Sequence, residues 1–265
     1  MNEIVIDTIH NIDCLEGMRS LPGASVDIVL TSPPYNILHT TGNFFSSIRP
    51  ASKRWKNCPI KQGYDTYSDD MPHEEYVRWQ RECLTEMMRL LKEDGAIFYN
   101  HKWRVQNGLI QDRSDILSGF PVRQVIIWRR NGGVNFNESF FLPTYEVIYL
   151  IAKPKFKLSA GANRHGDVWF FPAEQNNEHP AAFPIKLAER IISSCSGQVI
   201  LDPFIGSGTT AVAAYRHKRN FIGMEISEKY CKMANERLDK ERRKGTNRTQ
   251  LVDFVQEDKG GLQDV

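Results

Sequence analysis

The chain has 265 residues, of which 41% are hydrophobic and 25% charged, a balance that supports one large buried core and argues against an intrinsically disordered chain. A formal net charge of +2 leaves any nucleic-acid affinity to local basic surface, and no apolar run approaches the roughly 20 residues of a membrane span, so a soluble, cytoplasmic protein is expected. Five scattered cysteines without a CxxC pair argue against a disulfide framework and against a zinc or other metal site.

In chain order, "NIDCLEGMRSLP" places Asp13 and Cys14 ahead of a short helical pattern, where Asp13 reads as a helix cap. The apolar run "VDIVLT" (26–31) then stops at Ser32-Pro33-Pro34-Tyr35. Proline fixes its own φ and has no N–H, and the second proline pushes Pro33 towards an extended conformation, so the turn is stiff. It offers the Ser32 hydroxyl and the Pro33 carbonyl as acceptors, and the Tyr35 ring beside them.

Residues 36–64 form a long connection without an acidic residue, carrying Arg49, Lys53, Arg54, Lys56 and Lys61 among aromatic rings. A connection of that length is functional or disordered more often than not. The periodicity of "HEEYVRWQRECLTEMMRLLKEDG" predicts a helix over 73–95, with a glycine at its end. Strand-like runs follow at 95–100, 122–128 and 145–152, separated by a Gly- and Asn-rich loop, 129–143, that holds Arg129, Arg130, Asn135 and Asn137. Helical patterns at 183–195, 209–217 and 227–243 alternate with apolar runs at 197–202 and 219–225, and the polar residues from about 244 read as a flexible tail. Apolar strands alternating with helices imply a mostly parallel sheet covered on both faces.

"VILDPFIGSGTTAVAAYRH" combines a strand, Asp202, a turn through Gly206 and Gly208, and a helix start. Glycines let a ligand approach the backbone closely, and N–H groups at a helix start suit an electronegative group. Glu225 ends the next strand, at a spacing that suits an acid accepting from both hydroxyls of a ribose. No Lys follows the second glycine and GxGxxG is incomplete, which disfavours nucleoside triphosphates and NAD.

"DPFIGSGTT" and "LTSPPY" resemble the two signature motifs of the amino-group DNA methyltransferases. Their order, with the "SPPY" turn first, is that of the family's β group. The resemblance implies a Rossmann-like S-adenosylmethionine-dependent methyltransferase fold, an α/β architecture with a mostly parallel seven-stranded sheet and helices on both faces. It also implies one domain, 1–243, with DNA-contacting insertions at about 36–69 and 129–143. In the family the cofactor is S-adenosyl-L-methionine, which assigns to its pocket Asp13, Cys14, Thr31, Asp202, Pro203, Phe204, Gly206, Ser207, Gly208, Thr209, Thr210 and Glu225. The stretch "EHPAAFP" resembles the family motif that closes over the methionine half of the cofactor, which adds His179 and Phe183.

Ser32, Pro33, Pro34 and Tyr35 are then the catalytic residues. The Ser32 hydroxyl and the Pro33 carbonyl accept from the amino group of a base flipped out of the duplex, Pro34 stiffens the turn, and Tyr35 is the stacking platform of the base. In the family, serine at the place of Ser32 is the usual mark of cytosine-N4 enzymes and aspartate of adenine-N6 enzymes, so the resemblance implies cytosine-N4 ahead of adenine-N6. Lys and Arg dominate affinity for phosphates, and Arg and Asn suit G and A edges, so the two loops are the expected grip on double-stranded DNA. The sequence leaves open whether a second copy of the chain or a cognate restriction endonuclease completes the system. It also leaves open a catalytically silent DNA-binding module, which would bind DNA but not the cofactor.

Overall fold

The computed structural model describes residues 4–36, 70–106, 109–131, 138–172 and 183–257. The N-terminal half runs β1 (Thr8–Asn11), α1 (Cys14–Ser20), β2 (Val26–Thr31), α2 (His73–Leu90), β3 (Leu91–His101), β4 (Arg104–Gln106), β5 (Leu109–Gln111), α3 (Ser114–Leu117), β6 (Val122–Arg129) and β7 (Tyr145–Ala152). After β8 (Val168–Phe170) come α4 (Ile185–Ser193), β9 (Val199–Asp202), α5 (Thr209–Arg216), β10 (Asn220–Glu225) and α6 (Glu228–Glu257).

One sheet has the order β1-β10-β9-β2-β3-β7-β6-β8, and its pairs are parallel except those that β7 makes with β3 and β6. Its central strands are apolar on both faces because both faces are covered. Residues of α1 and α2 such as Met18, Tyr76, Leu84 and Met87 pack on one side. On the other, α4, α5 and α6 contribute Leu187, Ile191, Val212, Ala234 and Leu238. This is the expected Rossmann-like α/β layering. Among the described residues no helix is long and apolar enough to cross a membrane.

Three details differ from the sequence reading. The sheet has eight strands rather than seven, because β8 adds to β6 as a three-residue edge strand, too short to show a period. Helix α2 stops at Leu90, where Leu91 takes an extended conformation, and β3 begins at once. Gly95 therefore caps no helix. A Cβ there would lie 2.7 Å from the Asp27 carbonyl oxygen, so glycine permits close strand contact. Helix α6 continues through Glu257, past the expected start of the tail.

A clasp at the start of β2 ties the two halves together. The Asp27 carboxylate accepts from the backbone N–H of Gln198 (3.1 Å) and Val199 (2.9 Å) and from Lys92 Nζ. Gly197 makes room for it, since a Cβ on Gly197 would fall 2.2 Å from Asp27 Cβ. Gly197→Ala is accordingly expected to cost ~2 kcal/mol of stability through forced backbone movement, as measured by urea unfolding. An unchanged midpoint would show that the clasp yields freely.

Candidate active site

Strands β2 and β9 are parallel neighbours, which brings the proline turn after β2 beside the glycine turn after β9. The two strand ends are joined directly, since Thr31 Oγ1 donates to Asp202 Oδ1 at 2.8 Å. Asp202 also accepts from Thr210 Oγ1 (2.6 Å) and from Phe204 N (3.1 Å). Its carboxyl is fully buried, and burial pushes its pKa up to about 6, against the pull of those three donors. These bonds make Asp202, Thr31 and Thr210 the frame of the glycine turn.

The turn uses positive φ at Gly206 (50°) and Gly208 (81°), and Gly208 packs so closely on Ala234 that an added Cβ would sit 3.0 Å from the alanine Cβ. Glu225 then spans the turn. Its Oε2 accepts from Gly206 N at 3.0 Å and its Oε1 from Ser227 N at 2.9 Å. Burial raises its pKa, which the N–H groups of Ser227, Gly206 and Ile226 partly offset.

A cleft of about 780 Å³, including solvent at its mouth, lies over both turns. Asp13, Cys14, Ser32, Pro34, Pro203, Phe204, Gly206 and Glu225 line it as the sequence motifs imply. Asp13 also caps α1, its Oδ1 accepting from Leu15 N and Glu16 N, so one side chain both caps the helix and lines the cleft. Met71, Trp79, Met224, Ile226, Ser227 and Tyr230 complete the wall. The indole of Trp79 meets the Phe204 ring edge-on at 5.7 Å.

The proline turn is braced from behind. Tyr76 Oη donates to the Pro34 carbonyl (2.8 Å) and bonds His101 Nε2 (2.7 Å), and the His101 ring lies 4.9 Å from that of Tyr35. Tyr35 is only 3% exposed and is absent from the cleft wall, in contrast to the open stacking platform the motif implies. Its hydroxyl sits 2.6 Å from Ser32 Oγ and donates to Glu146 Oε2 at 3.1 Å. Asn100 Nδ2 lies within 3.3 Å of Ser32 Oγ, 2.8 Å of Tyr35 Oη and 3.0 Å of Glu146 Oε2. Arg130 Nη1 pairs with Glu146 Oε1 at 3.0 Å.

Several residues assigned by sequence stand behind the cleft, Pro33 among them, which is buried and absent from the wall. Ser207, Thr209 and Thr210 are buried beneath the glycine turn, and Arg237 Nη1 donates to Thr209 Oγ1 at 3.0 Å. Phe183 is buried in the core with Leu187 and Ile191. Of the residues expected to hold DNA, Arg129 lies over the Phe170 ring and Arg130 is committed to Glu146. His179, Arg49, Lys53, Arg54, Lys56, Lys61, Asn135 and Asn137 lie outside the described residues.

Sequence reading missed Asn100 and Glu146 as parts of the site, and saw Tyr76 and Trp79 only as an apolar helix stripe. A usable signal was present for Glu146, a lone acid inside the apolar run "YEVIYLIA".

Known proteins carry the same plan. The type II methyltransferase M.BglII of Bacillus subtilis is 29% identical, over 89% of this chain and 70% of its own length. M.ScaI of Streptomyces caespitosus is 27% identical, over 86% and 80%. The solved structure of a DNA modification methylase from Thermus thermophilus, complexed with S-adenosyl-L-methionine, superposes with a TM-score of 0.62 at 26% identity, covering 88% of this chain and 93% of that one. The cytosine-N4-specific PvuII DNA methyltransferase shares the fold, with a TM-score of 0.65 at 18% identity over 86% and 84% of the two chains. The N6/N4 DNA methylase profile matches residues 26–236, a span that holds both signature turns and most of the sheet, and the chain belongs to that family of DNA methyltransferases.

Proposed function

We propose that this chain moves a methyl group from S-adenosyl-L-methionine to the exocyclic amino group of a base turned out of double-stranded DNA, with cytosine-N4 preferred to adenine-N6. One observation carries the reading: Ser32 and Pro34 of the proline turn face the same cleft as Phe204, Gly206 and Glu225. The donor set fits the cofactor. Glu225 offers carboxylate oxygen to ribose hydroxyls, Asp13 offers it to an adenine amino group, and Trp79, Phe204, Met224 and Ile226 supply an apolar slot for a flat ring. When bound there, the cofactor supplies an electrophilic methyl group on a sulfonium centre.

The rest falls to the chain. An exocyclic amine is a poor nucleophile because its lone pair is delocalised into the ring. Acceptors at Ser32 Oγ and the Pro33 carbonyl favour the tetrahedral nitrogen, and their value lies in being held in place before the base arrives. Tyr76 and His101 hold that turn. Tyr35 is assigned to the acceptor framework through its hydroxyl.

The basic segment with Arg49, Lys53, Arg54, Lys56 and Lys61 is the proposed phosphate grip, assisted by Asn135 and Asn137 of the second loop. A second copy of the chain and a cognate restriction endonuclease are proposed partners. Serine at position 32 favours cytosine, and an adenine-N6 product would leave the same mechanism in place.

The test is to incubate the protein with unmethylated genomic DNA and S-adenosylmethionine, digest the DNA to nucleosides and identify the methylated species by mass spectrometry. N4-methylcytosine is the expected product, and N6-methyladenine would overturn only the base assignment. Cofactor binding without any methylated base would overturn the DNA substrate.

A further inference from the structure

Glu146 is a carboxylate on β7, the reversed strand of the sheet, and is 7% exposed. Burying a carboxylate is costly unless its oxygens are matched by donors, and here each one is. Oε1 takes Arg130 Nη1 at 3.0 Å, while Oε2 takes Tyr35 Oη at 3.1 Å and Asn100 Nδ2 at 3.0 Å.

Proton accounting then fixes the direction of the chain of hydroxyls. Tyr35 has a single hydroxyl proton, and an ionised Glu146 can only accept, so that proton points at Oε2. The 2.6 Å contact between Ser32 Oγ and Tyr35 Oη therefore has Ser32 as its donor. The serine proton points at Tyr35 Oη, which is not part of the cleft wall, and Ser32, which lines the cleft, keeps one lone pair besides the one Asn100 Nδ2 approaches at 3.3 Å. Asn100 cannot reverse this order. Its Nδ2 faces the carboxylate, so it donates to the group and takes no proton from it.

We propose that Glu146 is a positioning residue that polarises the Ser32–Tyr35 hydroxyl pair and is the terminal acceptor for the proton the target amine sheds. The inference rests on the amino-methyltransferase reading and deepens it. As the nitrogen lone pair forms its bond to the methyl carbon, the carbon–sulfur pair stays with sulfur. The amine N–H proton passes to Ser32 Oγ, and the N–H electron pair remains on nitrogen. The Ser32 proton passes to Tyr35 Oη, and the Tyr35 proton to Glu146 Oε2. The sulfonium charge and the carboxylate charge both disappear, leaving a neutral methylated amine, a neutral thioether and a neutral carboxylic acid.

The variants are Glu146→Gln, Tyr35→Phe and the pair combined. Tyr35→Phe keeps the ring on His101 and deletes only the hydroxyl. Each single change is expected to lower kcat for DNA methylation about 100-fold, the usual scale for a lost proton path, with KM for DNA and cofactor within about twofold. Because both changes cut one path, the double variant is expected to be no slower than the worse single one.

A second readout needs neither cofactor nor DNA. The short Ser32–Tyr35 bond should give a downfield hydroxyl proton in the NMR spectrum of the free protein, lost in Tyr35→Phe and shifted upfield in Glu146→Gln. Single variants within threefold of the parent, multiplied losses in the double variant, or an NMR signal unmoved by Glu146→Gln would each overturn the proposal. If Glu146→Gln does not fold, Tyr35→Phe decides, and near-parental turnover there overturns the relay. A parent protein that methylates no DNA, with the NMR signal still moved by Glu146→Gln, would place the failure in the substrate reading and leave the polarised hydroxyl pair standing.

Discussion

Glu225→Ala is expected to weaken S-adenosylmethionine binding by 100-fold or more. Two hydrogen bonds from ribose hydroxyls to a carboxylate are worth ~1.5–3 kcal/mol each, and every ~1.4 kcal/mol is a factor of ten in affinity. The variant also strips Gly206 N and Ser227 N of their acceptor, so the glycine turn loses the brace that shapes it. Titration calorimetry on parent and variant with the cofactor and with its 2′-deoxy analogue separates the two effects. A ribose contact predicts that the parent discriminates between the ligands and the variant does not. A Kd within threefold of the parent would remove Glu225 from the pocket.

Asp202→Asn is expected to remove a pH dependence of stability worth ~3 kcal/mol. The folded carboxyl has a pKa of about 6, against 3.8 for the ordinary group, and each pH unit between them is worth ~1.4 kcal/mol. Because the folded value is the higher one, the folded state holds its proton more tightly. The stabilisation is fully present below pH 3.8 and is lost as pH rises through about 6. Asparagine carries no such proton. Measured by urea unfolding, the parent should therefore gain on the variant as the solution is taken from pH 7.5 to pH 4. A constant difference across that range would mean that Asp202 is not desolvated as its burial implies.

Much of this molecule was legible in the sequence, and what escaped did so for definable reasons. The strands at 26–31, 145–152 and 219–225 announced themselves by strongly apolar runs, and the two turns by residues whose backbone constraints are severe. The end of α2 was misplaced because Leu91 continues the helical stripe while serving as the first buried residue of β3. Periodicity cannot tell those roles apart when a buried leucine satisfies both. The three-residue β8 has no period to detect.

At the site, the motifs identified eight of the residues that line the cleft and overreached where one motif mixes wall and frame. Asp202 and Glu225 both end apolar strands, yet only Glu225 lines the opening. Their difference lies in Thr31 and Thr210, whose hydroxyls turn Asp202 inward. Tyr76 and Asn100 escaped because their partners are 42 and 68 residues away, beyond any local pattern.

The Thr31–Asp202 bond spans 171 positions of chain, and this has a consequence during synthesis. Strand β2 leaves the ribosome long before β9, its neighbour in the sheet. At ~5–20 residues per second, roughly 9–34 s separate the making of Thr31 from that of Asp202. Throughout that interval one edge of a largely apolar strand has no native partner, and an unpaired apolar edge invites association with other nascent chains. The enzyme's yield in a cell should then depend on translation speed and on chaperones that shield β2, more than its final stability alone would suggest.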